Sequence, residues 1–154
     1  MVLHLRYLSY LLRHKWYVLC AGLPLGVPLW RLLIHDWTKF TPAEWGPYVR
    51  RFYPGRGQDA DPTEFQRAWK HHWTHNPHHH EYWSAGGDDR SLLAMPETYV
   101  REMIADWIGA GHAQGKTDTA AWYAQHGERM RLHPDTRALV ERLLSEAKRL
   151  RLIC

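Results

Sequence analysis

The sequence predicts an all-α protein, on three observations. Apolar residues recur at helical spacing in each long segment. No alternating strand pattern competes with them. The breaks between segments carry helix-start and helix-stop residues. The length of 154 residues suits one domain, 1–154, with a real core. The expected architecture is a single compact bundle of six to eight helices.

Residues 3–20 open the chain with an apolar stripe of Leu5, Leu8, Leu12, Trp16 and Leu19, with Arg6, Arg13 and Lys15 off it. Gly22, Pro24 and Gly26 end that helix. A short apolar helix from Pro28 to about Trp37 follows and carries His35 and Asp36. Thr41-Pro42-Ala43-Glu44 has capping-box character and starts a helix through Phe52. Residues 54–62 read as a loop, and Asp61-Pro62-Thr63-Glu64 opens the next helix. Phe65, Trp69 and His72 line its inner side, and Asn76-Pro77 breaks it. Residues 85–91 form a second loop. A helix from Met95-Pro96-Glu97 runs to Ile108 and is stopped by Gly109 and Gly111. Thr117 or Asp118 caps a helix to about Met130, and Pro134 begins the last one.

Composition narrows the functional classes. Nine Trp is high for this length, and many should half-line pockets or grooves. A formal charge of +4 biases the chain toward anionic partners without indicating nucleic acid. Two cysteines, Cys20 and Cys154, make neither a disulfide framework nor a thiolate metal site, which points to a reducing cytoplasmic setting. The longest uncharged stretch, Trp16 to Trp30, is too short and broken to span a bilayer, and no signal peptide is expected.

Histidine is the informative residue. Six of the twelve, His71, His72, His75, His78, His79 and His80, fall in ten positions. His35 precedes Asp36, and His14 lies on the first helix. Asp106 stands among Met103, Ile104 and Ile108, where a carboxylate is costly unless paired, to Arg101 or Lys39, or bound to metal. Imidazole and carboxylate are the natural ligands of Zn, Fe, Mn and Ni. The chosen metal set is His14, His35, Asp36, His72, His79 and Asp106, with His75 and His78 in reserve and His4 as an alternative to His14. His112, His126 and His133 read as surface residues.

The order His, His-Asp, His, His, Asp on a helical chain resembles the HD-domain superfamily of metal-dependent phosphohydrolases. HDWTKF looks like the extended form of its motif, with Lys39 three residues after Asp36, although Thr38 stands where the family has a small residue. His79-His80-Glu81 is similar to a His-His-Glu element of one subgroup, but that subgroup's Gly-Tyr-Pro signature is absent, so cyclic-dinucleotide specificity does not carry over. RHKW, GVPLWRLLIHDWTKF, EWGPY, AWKHHWTHNPHH and MPETYVREMIADW also look like a small phage-borne family classed as a domain of unknown function.

The resemblance implies one or two divalent transition metals (Mn, Fe, Co, Ni or Zn) and hydrolysis of a phosphoester, a nucleotide among the candidates, in the host cytoplasm if the gene is viral. Asp36 and Lys39 would be catalytic, and Lys39, Arg50 and Arg51 would meet the substrate phosphate. Two alternatives use the same residues. One is a mixed-valent diiron oxygenase of HD-like fold, and the other a non-catalytic metal-bound protein that binds a host partner. Neither a membrane nor nucleic acid is indicated as a partner, and the oligomeric state stays open.

Overall fold

A computed structural model describes residues 2–53, 61–84 and 92–152. Among these residues the chain is all-helical, with α1 (Val2–Gly22), α2 (Leu29–Ile34), α3 (Pro42–Phe52), α4 (Pro62–His75), α5 (Glu97–Ala113), α6 (Thr119–His126) and α7 (Pro134–Arg149). Short 3-10 turns occupy Trp37–Phe40, His80–Trp83 and Gly127–Arg129. Residues 54–60 of the expected loop 54–62, and all of the expected loop 85–91, lie outside the described residues; Pro62 already begins α4. No described helix is long and apolar enough to cross a membrane.

Helix starts follow local chemistry. The Asp61 carboxylate accepts from the Thr63 amide at 2.9 Å, and Asp118 accepts from Ala121 at 2.8 Å. Each satisfies an amide that the first helical turn leaves free. Pro at the first position of α3, α4 and α7 costs no hydrogen bond there.

α1 and α5 are the central pair. The buried face of α1 is Tyr7, Leu11, His14, Val18 and Ala21. This corrects the expected stripe, since Leu5, Leu12 and Trp16 are exposed. Leucine is so frequent in α1 that two faces satisfy the helical period, and apolar spacing alone does not choose between them. None of the nine Trp is fully buried.

Two apolar clusters hold the molecule together. One joins the C-terminal half of α1 to α2, α5 and α7 through Val18, Leu25, Leu32, Met103, Ile104 and Leu143. The other joins the N-terminal half of α1 to α3 and α4 through Tyr7, Leu11, Tyr48, Val49 and Ala68. His14 lies on α1 between the two clusters.

α5 does not stop at its glycines but continues to Ala113. At Gly109 α5 packs tightly against Val18 of α1. A Cβ there would meet the Val18 backbone nitrogen at 2.8 Å and its Cγ2 at 2.5 Å. Helix propensity costs about 1 kcal/mol for glycine at such a site, and the close approach outweighs it. His14 and Asp106 sit one turn from this contact on their helices.

Gly109→Ala should therefore lower stability by about 1–3 kcal/mol, read as a Tm drop of several degrees. A gain in Tm, which propensity alone predicts, would contradict the close packing.

Candidate metal centre

The site begins with a backbone break. α2 ends at Ile34, two residues before Asp36 rather than through Trp37 as expected. Asp36 has φ 57° and ψ 23°, the left-handed region that non-glycine residues seldom adopt. Adjacent residues on a helix point about 100° apart, so His35 and Asp36 could not converge on a continuous helix. The break turns both inward, and His35 and Asp36 are 2% and 0% exposed.

Each Asp36 oxygen faces a different donor group. Oδ2 lies 3.3 Å from His14 Nε2 and 3.5 Å from His35 Nε2. Asp106 Oδ1 closes this first group, 3.1 Å from His14 Nε2 and 3.3 Å from His35 Nε2. Oδ1 lies 3.2 Å from His72 Nε2 and 3.5 Å from His78 Nε2. His79 closes the second group, its Nε2 2.9 Å from His72 Nε2. The ligand atoms of each group lie within 4.8 Å of one another, so each group could hold a metal ion.

A turn brings the second group together. His72 is on the inner face of α4, and Asn76-Pro77 ends that helix. The chain then doubles back through His78 and His79 into the 3-10 turn His80–Trp83. A continuous helix would have placed His72, His75 and His79 on one face. Instead His78 enters and His75 leaves. His75 is exposed, with its Nδ1 on the His71 carbonyl at 2.7 Å.

Two buried glutamates hold the rings. Glu102 Oε1 accepts from His35 Nδ1 at 3.0 Å and lies 3.4 Å from His78 Nδ1. Its other oxygen accepts from Arg31 Nη2 at 2.6 Å. Glu44 accepts from His72 Nδ1 at 2.8 Å and from His71 Nδ1 at 2.7 Å. A carboxylate only accepts, so it holds the histidine proton on Nδ1 and leaves the Nε2 lone pair facing inward. The capping box expected at Thr41 does not form. Glu44 is taken by the two histidines, and Thr41 Oγ1 donates to the Thr38 carbonyl at 2.7 Å. Thr38 itself is buried, its hydroxyl 3.1 Å from His72 Nδ1 and accepting from Asn76 Nδ2 at 2.8 Å.

Buried polar atoms without partners mark what this arrangement is built for. His35 Nε2, His78 Nε2 and Asp36 Oδ1 are fully buried and make no hydrogen bond. Leaving such groups unpaired costs about 1–3 kcal/mol each. His35 Nε2 faces the first donor group and His78 Nε2 and Asp36 Oδ1 face the second, and a cation in each group would satisfy them. The donor set fits the borderline metals that favour imidazole and carboxylate.

The charges are strongly coupled. Burial penalises the Asp36 carboxylate, but His35, Lys39 and His72 outweigh it and hold its pKa well below the ordinary range. Asp106 is likewise held low against burial by His14 and His35. Burial opposes the imidazolium at His14, yet Asp106 and Asp36 raise its pKa. His35 and His78 are raised against the same penalty by their carboxylate neighbours. His79 is pushed well down by burial and by His78 and His72.

Lys39 Nζ reaches Asp36 Oδ2 at 2.5 Å. Burial works against its ammonium, but Asp36 and Asp106 outweigh this and keep it charged. Arg50 and Arg51 do not join the site. Arg50 forms a surface ion pair with Glu64, 2.5 Å from Nη2 to Oε1, and Arg51 is exposed over the Phe65 ring. Both are exposed on α3, whose buried residues are Glu44, Pro47, Tyr48 and Val49. His4 is exposed and accepts from Trp45 Nε1, so His14 is the α1 histidine at the centre. His80 pairs loosely with Glu81 at 3.7 Å. His112, His126 and His133 belong to neither donor group.

Reading the sequence missed the two supporting glutamates. Glu102 was legible, because it lies one turn before Asp106 on the same apolar helix and meets the same objection to burial. Glu44 gave no such signal, since a glutamate three residues into a helix is ordinary.

A family model matches residues 3–146, and the chain belongs to that family, DUF5662, a family of unknown function. No curated protein and no solved structure matches the chain.

A metal ion must displace protons from His14, His35 and His78, whose pKa values are raised in the metal-free protein. Binding should therefore release protons near neutral pH and weaken as pH falls, starting above the ordinary histidine value of about 6.5. Calorimetric titration in buffers of different ionisation enthalpy checks this, and binding independent of pH between 5 and 8 would contradict it. A second expectation concerns the support. Arg31→Met leaves the Glu102 carboxylate short of its only arginine and should cost about 3 kcal/mol, read by chemical denaturation.

Proposed function

We propose that this protein is a metal-dependent hydrolase of phosphoesters, similar in its donor arrangement to the HD-domain superfamily. One observation carries the reading. Asp36, fully buried and in a left-handed backbone conformation, aims one oxygen at each of two donor groups. A shared carboxylate between two donor groups suits two divalent transition metals, with Mn, Fe, Co, Ni and Zn as candidates.

His14, His35, Asp106 and Asp36 Oδ2 would hold one ion, and His72, His78, His79 and Asp36 Oδ1 the other. Bound there, such ions supply Lewis acidity toward a phosphoryl oxygen and bring the pKa of water to about 7. The chain's own residues do the rest. Asp36 fixes the two groups relative to each other. Glu102 and Glu44 keep the ring nitrogens aimed and the histidines in one tautomer. Lys39 stands beside Asp36 with donors left over, placed to neutralise a phosphate oxygen and hold it in line. Asp106 and His79, on the less buried rim, leave a side from which a substrate can approach. The substrate class is a small phosphoester, with nucleotides included.

Metal analysis of untagged protein tests the donor assignment. Asp36→Ala should lose metal from both groups. Asp106→Ala and His78→Ala should each lose about half of it. Lys39→Ala should keep its metal while phosphate release from an aryl phosphate or a nucleotide falls about a hundredfold. Undiminished metal in Asp36→Ala would remove the assignment. Oxygen uptake by an iron-loaded sample that releases no phosphate with any metal would replace hydrolysis with oxygenation.

A further inference from the structure

Beside the metal centre lies a cleft of about 570 Å³, within the range of small-molecule sites. Among the described residues, seven of the eleven that line it are aromatic, and the charged ones are Arg13 and Lys39. It adjoins the donor groups directly. Lys39 contacts Asp36, Tyr10 stacks over His14 at 6.2 Å, and Trp69 packs on His79 at 5.1 Å. The other end is walled by Phe52, Tyr53 and Phe65. The cleft thus has a cationic end at the metal centre and an apolar aromatic end away from it.

Two of its walls carry an unmet demand. Tyr7 and Tyr48 are 2% and 5% exposed, and neither hydroxyl meets a hydrogen-bond partner among the described residues. A buried unpaired hydroxyl is costly, and tyrosine in a core normally finds a partner. Phenylalanine would fill the same space without the cost. Burial raises both phenols well above their ordinary pKa, so each keeps its proton and can donate. The Tyr48 ring lies 5.9 Å from Lys39 Nζ, and the Tyr7 and Tyr48 rings are 6.3 Å apart.

We propose that this cleft is the substrate chamber and takes a phosphate monoester bearing a flat aromatic ring, of nucleoside monophosphate type. Lys39 and the hydroxyls of Tyr7 and Tyr48 receive the anionic oxygens at the metal end. The aromatic walls take the ring, whose stacking contributes about 1–3 kcal/mol. Among the described residues, no acidic side chain lines the cleft. The inference rests on the hydrolase reading for what happens after binding, but the binding can be measured without it.

The test uses a nucleoside 5′-phosphonate, which cannot be hydrolysed, with the protein carrying its own metal. Its affinity is compared with those of the parent nucleoside and of methylphosphonate, by calorimetry and by quenching of tryptophan fluorescence. The phosphonate should bind at least tenfold more tightly than either fragment. Tyr7→Phe and Tyr48→Phe should each weaken the phosphonate about tenfold or more and leave the nucleoside unchanged. Both variants should keep or raise the Tm of the unliganded protein, because each removes a hydroxyl that has no partner. Unchanged phosphonate affinity in both variants would overturn the proposal, as would methylphosphonate binding as tightly as the nucleoside phosphonate. Phosphate release from an aryl phosphate without phosphonate binding would also overturn it and leave the hydrolase standing. Tight, tyrosine-dependent phosphonate binding by a protein that hydrolyses nothing would support the chamber and remove the hydrolase.

Discussion

The structure depends on one buried carboxylate. Asp36 occupies a left-handed backbone position at the end of α2, with its two oxygens toward different helices. One oxygen meets α1 through His14. The other meets α4 and the turn after it through His72 and His78. A buried charge is tolerated only when it is paired and hydrogen-bonded. Here the pairing is distributed over α1, α4 and the turns that follow α2 and α4, so the charge that is hardest to bury is also where these elements meet.

That arrangement explains the rest of the polar interior. Histidines gathered at one point repel when protonated and leave lone pairs unmet when neutral. Glu44 and Glu102 resolve the orientation by taking the outer ring nitrogens. Arg31 in turn balances Glu102, and it stacks over Tyr99 at 4.1 Å. The helix pair that carries His14 and Asp106 needs close approach, and Gly109 against Val18 allows it. Polar centre and apolar packing therefore constrain the same face of α1 and α5.

Much of this was legible in the sequence, and the failures have physical causes. Helix number and order followed from spacing and breakers. Asp106 stood out because a carboxylate sat where apolar residues were expected, and His14 and the His35-Asp36 pair stood out by residue type and order; all four converge in the structure. The histidine cluster was visible as a cluster but not as geometry. Choosing among His75, His78 and His79 requires the path of the chain after Pro77, which no periodicity encodes. The α1 stripe was misjudged because a leucine-rich helix offers more than one apolar face. Arg50 and Arg51 were placed by proximity in sequence to Lys39, yet both are exposed at the end of α3, where Arg50 pairs with Glu64. The surplus of Trp pointed to lined pockets, but Trp69 is the one Trp among the described residues of the aromatic cleft, whose walls are mostly Tyr and Phe.

The central claim is that Asp36 is shared between two metal-binding groups. Anomalous diffraction from crystals of the native protein, collected across the absorption edges of Mn, Fe, Co, Ni and Zn, tests it most directly. The account predicts two anomalous peaks, one on each side of the Asp36 carboxylate, the first contacting His14, His35 and Asp106 and the second His72, His78 and His79. Metal bound instead by His71 and His75, or no anomalous scatterer beside Asp36, would contradict it.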